Sequence, residues 1–472
     1  MLLYTTGVTM KPKMMLTGRP LQYFGASFAL LNMFGSGFHL AWSSPFLPLL
    51  ERDPSTRITK DEGSWIATIY LIAGPFGAIL ASVVVNRIGR KMSLLLSALP
   101  YLTSWAIIAI TQRIGFILSA RFIGGMAEGV IYTVLPVYIG ELADPQIRGF
   151  LISLMGILSM VAALVVNVLG YYLNITHSSI ICAIPHILFL FSFPFLPETP
   201  NHYIVRGELD KARDTLGQVR GRAVDDEEIK ELVRINGEGL AKANVLDLFR
   251  IASNRKGLFV FMGTMAAQQF SGIVPIMFYT QTIFEEAASD FPVIVSTVLL
   301  YVVLIVFSIL SAVIVDRLGR RPLIITSIVC CFLALLAEGV NLYIKHKSGV
   351  DGVGFSWVTI CDFSFLIISY SIGLLALPTV FAGELFPLNV KAAAICFCNI
   401  YFAAMATGVA KLFQFTNDEY GLYVPFFVFA ICLFLSLVYV VIFVPETKNK
   451  TLEQIQIELK AIKPNTEIIT RL

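Results

Sequence analysis

The sequence predicts an all-α membrane protein: twelve transmembrane helices in two six-helix bundles, with short cytoplasmic helices in the central loop. Three observations lead there. The 472 residues are 56% hydrophobic and only 14% charged, against roughly 25% charged in a soluble domain, and the mean hydropathy is +0.76. Apolar runs long enough to cross a bilayer fall into two sets of six around a polar stretch. Three short landmarks recur in both sets, in the same order.

A helix needs about 20 apolar residues to cross a hydrocarbon core of about 30 Å. Such runs lie near 22–49, 64–85, 92–111, 115–140, 150–173 and 178–196, and again near 257–283, 292–315, 322–344, 357–383, 390–413 and 422–444. The domains expected are therefore a first bundle over 1–196, a linker over 197–256, a second bundle over 257–444 and a cytoplasmic tail over 445–472. The linker holds LDKARDTLGQVR and DDEEIKELVRI, whose amphipathic spacing predicts short surface helices.

Lys and Arg in short loops stay on the cytoplasmic side. Lys11, Lys13 and Arg19 precede the first span; Arg87, Arg90 and Lys91 follow the second; Arg317, Arg320 and Arg321 follow the eighth; Lys448 and Lys450 follow the last. With twelve spans all of these share one face, so both termini are expected in the cytoplasm. The opposite face carries fewer basic residues, and three of them (Arg52, Arg57, Lys60) stand among Glu51, Asp53, Asp61 and Glu62. The first apolar stretch is too long for a signal-peptide core and is expected to remain in the mature protein.

The seven cysteines sit in or beside apolar spans without metal-site or disulfide-framework spacing, and read as small buried hydrophobes. No nucleotide loop, metal-ligand pattern or nucleophile motif stands in a polar segment. The sequence thus offers no enzyme, no cofactor, no metal site and no nucleic-acid partner.

The landmarks are the richest signal. NRIGRK (86–91) follows the second span and DRLGRR (316–321) the eighth. GELADPQIRG sets Glu141 seven residues before Arg148, and GELFPLNVKA sets Glu384 seven before Lys391. PETP (197–200) closes the sixth span and PETK (445–448) the twelfth. Matched landmarks in matched order point to an internal duplication, a known transporter architecture.

Polar side chains inside spans are costly and tend to be functional. The seventh span carries Gln268, Gln269 and Ser271, then Tyr279. Each glutamine amide offers two donors and an acceptor, which suits neighbouring hydroxyls. Polar groups between helices also serve as structural glue through bonds to neighbouring backbone, and that reading stands beside the binding one.

Over essentially its whole length the chain resembles the sugar porters of the major facilitator superfamily. NRIGRK and DRLGRR resemble the superfamily's loop signature. RFIGGMAEG (121–129) through IGELADPQIRG, the two PET motifs and QQFSG (268–272) resemble the sugar-porter signatures, and AWSSPFLP, PETP and GELFP are most similar to insect facilitated trehalose transporters and their relatives. The resemblance implies the major facilitator fold and a sugar site near the membrane midplane. It places Gln268, Gln269 and Asn399 on the sugar, with Tyr370 and Ser371 lining the pocket or serving as glue.

It also implies a charged latch on the cytoplasmic face. Arg87, Arg90 and Lys91 would meet Glu141 and Glu198, with Arg148 alongside; Asp316, Arg317, Arg320 and Arg321 would meet Glu384 and Glu446, with Lys391 alongside. Half-exposed ion pairs are worth about 0–1 kcal/mol each, enough to bias a two-state carrier without freezing it. The plainer alternative is that these charges only set topology.

The chain departs from the family at several points. Asn86 stands where the second copy has Asp316, and Val274, Leu375, Thr379 and Ile400 replace the family's asparagine, glycine and two tryptophans in and around the pocket. His39 falls where proton-coupled relatives carry an Asp paired with the arginine matching Arg121, and Glu128 lies two turns after Arg121. Glu128 reads as a neutralising partner of Arg121, a proton carrier or a substrate-polarity residue; His39 as a hydrogen-bonded core residue or a proton carrier. Three functions follow: a facilitative carrier of a monosaccharide or trehalose in the plasma membrane, functional as a monomer; a proton-coupled symporter; and a sugar sensor that no longer transports. Dependence of uptake on pH and uncoupler separates the first two, and any saturable flux removes the third.

Overall fold

The computed structural model describes residues 17–240, 246–348 and 353–448, except 55 and 57, and a few positions between 450 and 459. Every element is helical. Ten helices among the described residues are long and apolar enough to cross a membrane. They begin with Lys60–Ile88, Arg90–Ile110, Ile114–Leu142, Pro145–Tyr172 and Ile175–Ser192 in the first half. Val293–Arg317, Arg320–Ser348, Val353–Ile372 with Leu377–Glu384, Leu388–Tyr420 and Tyr423–Phe443 follow in the second. Between the halves lie Pro200–Val205, Leu209–Arg220, Asp226–Leu240 and Asp247–Arg250.

The first, seventh and tenth spans are not the continuous runs that hydropathy alone predicts. The first is Arg19–Ala41 and Ser43–Arg52; the seventh is Ala252–Phe270, Ile273–Phe278 and Thr280–Ala287; the tenth breaks between Ile372 and Leu377. Proline explains the breaks at Trp42, at Ser271–Gly272 and between Ile372 and Leu377, because it lacks the N–H that the carbonyl four residues earlier needs. Pro45 leaves the Ala41 carbonyl without its bond, Pro275 that of Ser271, and Pro378 that of Leu374. At the seventh span Gly272 adds a left-handed turn (φ 76°), a conformation that costs glycine little.

Packing within the first bundle relies on missing side chains. The second and fourth spans cross where a Cβ on Gly77 would lie 1.9 Å from the Met126 carbonyl, and one on Gly129 1.9 Å from that of Gly74. Small residues allow such backbone approach between membrane helices. The bundles meet along two seams, second span against eleventh and fifth against eighth.

Candidate functional site

Three sets of polar groups stand out within the helical bundles. The first is at the break in the seventh span. The Gln268 amide nitrogen donates to the carbonyls of Leu374 (2.7 Å) and Leu375 (3.2 Å), so it supplies the bond that Pro378 removed from the tenth span. Its oxygen accepts from Gln269 Nε2 at 3.2 Å, and Ser271 Oγ donates to the Gln268 carbonyl at 2.6 Å. Tyr370 lies within reach of Gln268. Three buried polar atoms here have no protein partner: Gln269 Oε1, Tyr279 OH and Ser371 Oγ.

Asn399 and Ile400 are exposed on the eleventh span. Thr379 is also exposed, with its hydroxyl donating to the Ala376 carbonyl at 2.7 Å. Val274 is half-buried beside the break.

The second set lies inside the first bundle. The fully buried His39 ring stacks on Trp105 at 3.9 Å and Tyr101 at 5.3 Å, and neither ring nitrogen has a partner. Arg121 is also fully buried. It donates to the carbonyls of Ile66 (3.1 Å) and His39, and its guanidinium lies 4.6 Å from the centre of the Tyr70 ring. Glu128 accepts from Tyr101 OH at 2.7 Å. Among the described residues no ion pair joins Arg121 to Glu128, so the sequence spacing that put them on one helix face did not put their charged ends together.

Sequence reasoning missed the partners of this set. His186 Nδ1 meets Asn32 Oδ1 at 2.7 Å, and the His186 ring stacks on Tyr101 at 4.4 Å. It missed as well a buried cluster that crosses between bundles. Ser44 Oγ donates to Asn167 Oδ1 at 2.7 Å, and Gln281 Nε2 donates to the Asn167 carbonyl at 3.2 Å. Polar residues within apolar runs were the available signal, and His186, Asn167 and Gln281 carry it as plainly as Gln268 does.

The third set consists of two junctions on the face that bears the basic loops. At the first, the Glu198 carboxylate accepts the backbone N–H of Arg90 (3.1 Å), Lys91 (3.0 Å) and Thr199 (2.9 Å). It thereby caps the third span, where unpaired N–H groups and the helix dipole favour an anion. Arg90 pairs with Glu141 at 3.1 Å and Lys91 Nζ donates to the Pro194 carbonyl at 2.6 Å. At the second, Glu446 caps the ninth span through Arg320 and Arg321 N–H, both at 3.0 Å. Arg320 pairs with Glu384 at 3.3 Å, and Arg321 donates to the Val441 carbonyl at 2.6 Å.

Each junction lies within one bundle. Arg148 donates to the Ala143 carbonyl at 3.4 Å and Lys391 to the Gly383 carbonyl at 2.9 Å, while Arg87 is exposed. The side chains of Asn86, Asp316 and Arg317 lie outside the described residues. Partial burial works against ionisation of Glu446, but the N–H groups of Lys448, Arg321, Arg320 and Thr447 prevail and hold its carboxyl below the usual range.

On the opposite face the ion pairs cross between bundles: Arg52 with Glu285, Lys60 with Asp418 (3.3 Å) and Lys411 with Asp61 (3.1 Å). Lys411 also sits 4.0 Å above the Trp65 ring. This face is closed. Among the described residues no three His, Cys, Asp or Glu side chains gather to hold a metal.

Residues 26–459 match the family described as sugar (and other) transporter. A facilitated trehalose transporter of Culex quinquefasciatus is 31% identical over 89% of this chain and 82% of its own length. That of Drosophila willistoni is 32% identical over 89% of this chain, which spans only 49% of that longer protein. Among solved structures, the xylose transporter XylE from E. coli in an inward-open conformation superposes with a TM-score of 0.77 at 20% identity, over 93% of this chain and 99% of that one.

Proposed function

Because the chain belongs to the sugar transporter family of the major facilitator superfamily, and so is a multi-pass transporter rather than an enzyme, we propose that it is a uniporter carrying a monosaccharide or trehalose down its gradient by alternating access. In this reading it works at the plasma membrane, and the basic loops support an orientation with the PET junctions and both termini in the cytoplasm and the opposite face outside.

The observation that carries uniport over symport is the setting of Arg121. Its guanidinium is held by two backbone carbonyls, and among the described residues no carboxylate forms an ion pair with it through which a proton would be lost and regained with the sugar. The central site supports a polyol: Gln269 Oε1 and Ser371 Oγ are buried without protein partners, and buried polar groups call for hydrogen bonds. Gln268 takes the second role weighed for it, as the tie that holds the broken tenth span, and Asn399 meets sugar only when the bundles shift.

Uptake of labelled glucose, fructose and trehalose into proteoliposomes, at two pH values and with uncoupler, tests this reading. Saturable uptake indifferent to both, with KM raised about tenfold by Gln269→Ala, is the expected result; a lost hydrogen bond of about 1 kcal/mol and its unpaired neighbour account for that size. One observation favours proton coupling instead. Glu128 is held by Tyr101, whose ring also stacks on His39 and His186. Uptake that follows a proton gradient and fails in Glu128→Gln would make that the mechanism.

A further inference from the structure

The closed outer face contains a cavity of about 360 Å³, lined in part by the ion-paired Arg52, Glu285, Lys60 and Asp418. Its walls come from both bundles: Glu51 and Lys60 from one side, Tyr279, Glu286, Asn417 and Asp418 from the other. Two residues beyond Tyr279 in the same span, Gln281 joins Ser44 and Asn167 in the buried crossing cluster. Tyr279 lines this cavity and follows the break at Gln268 in the same span. It is only 5% exposed, its ring stacks on Phe413 at 5.6 Å, and its hydroxyl has no hydrogen-bond partner although it lines this cavity.

The lining selects its ligand. A cavity of this size suits a small molecule. Its carboxylates accept strongly, Lys60 and the Asn417 amide donate, and the wall holds both signs of charge. An anion would face four carboxylates (Glu51, Glu285, Glu286, Asp418), against two cations already paired with two of them (Arg52 with Glu285, Lys60 with Asp418). Hydroxyl groups both donate and accept, and the buried Tyr279 hydroxyl lining the cavity has no hydrogen-bond partner of its own. Among the described residues these carboxylates do not gather into a group that could hold a metal ion.

We infer that this outer cavity is a second carbohydrate site, loaded from outside while the central site is closed to that face. The inference rests on the sugar-carrier reading above. Because both bundles wall the cavity, parting them on this face dismantles it, so a bound sugar favours the closed conformation. High external sugar then slows its own entry.

Equilibrium dialysis of the purified full-length chain against radiolabelled trehalose, and in parallel glucose, counts the sites. The expected result is two molecules of one of these sugars per wild-type chain and one per chain in the double variant Glu286→Gln, Asn417→Ala. Leu422→Trp, which fills the cavity from a third wall, is expected to lose the same site and guards against misfolding of the double variant. In proteoliposomes both variants keep initial uptake at low sugar within about twofold of wild type and lose the fall in rate at high external sugar. Equal binding by wild type and both variants, or no binding by any of them, overturns the inference. Failure of the carrier reading is a separate outcome: no saturable uptake, while the difference in binding between wild type and variants remains.

Discussion

The two basic-face junctions are built from the same parts, yet they are not equally complete. In the second, Thr447 Oγ1 donates to Glu384 Oε2 at 2.6 Å. In the first, the matching Thr199 Oγ1 and Glu141 Oε2 are both buried without a partner. The glycines differ too. A Cβ on Gly89 would lie 2.2 Å from Glu198 Oε2, and Gly89 has φ 98°; one on Gly319 would lie 2.6 Å from Glu446 Oε2, and Gly319 is not among the positive-φ glycines. A duplicated phrase thus reproduces the capping of a helix by a carboxylate, because that depends on backbone. Side-chain bonds around it were free to diverge. The first junction carries the strain, and the second carries the extra hydrogen bond.

The largest test of that contrast is Gly89→Ala against Gly319→Ala. The former forces both a clash and a left-handed backbone, a strain of about 1–3 kcal/mol, and is expected to lower the thermal midpoint of the purified protein by several degrees. The latter meets the Glu446 carboxylate and the Pro322 ring (3.1 Å) but needs no left-handed backbone, and is expected to cost less than half as much. Equal losses would mean that the backbone conformation at Gly89 is not what distinguishes the two copies.

Thr447→Val and Thr199→Val sharpen the comparison at about 1–2 kcal/mol. The first removes a hydrogen bond to a partly buried carboxylate and is expected to destabilise. The second deletes a hydroxyl that has no partner and is expected to be neutral or mildly stabilising. Thermal shift on the two proteins gives opposite signs if the hydrogen-bond difference is real.

The smallest effect is in pH. A carboxyl held below its unfolded value contributes stability that is present above that value and fades as pH falls through the lowered one. For Glu446, wild type and Glu446→Gln are therefore expected to differ at neutral pH by about 1 kcal/mol, the worth of a helix cap, and to converge as the medium is acidified below the usual carboxylate range. A gap that widens in acid would reverse the assigned sign.

Much of the fold was legible beforehand because membrane helices announce themselves by hydropathy, and because bilayer thickness leaves few alternatives. The duplication was legible for a related reason: capping glutamates, glycines and arginines must hold fixed offsets from helix ends, so NRIGRK with PETP and DRLGRR with PETK survive as recognisable phrases. Gln268 was legible as a polar residue in an apolar span, but its bonding was not. That glutamine answers a carbonyl orphaned by Pro378, more than a hundred positions away in the chain, and no local pattern states which helix break it faces.

The same limit governs the rest. Composition, hydropathy and repeated motifs determined that this chain spans a membrane many times, that its halves match and that its chemistry is binding and release. Tertiary packing alone decided that Arg121 and Glu128 share a helix without sharing a salt bridge. It also decided that Arg52 crosses to Glu285, and that Tyr279 opens onto an outer cavity. Helix spacing fixes which face a residue occupies; which charge or carbonyl waits opposite depends on the crossing of helices distant in sequence, and that is settled only when both bundles close against each other.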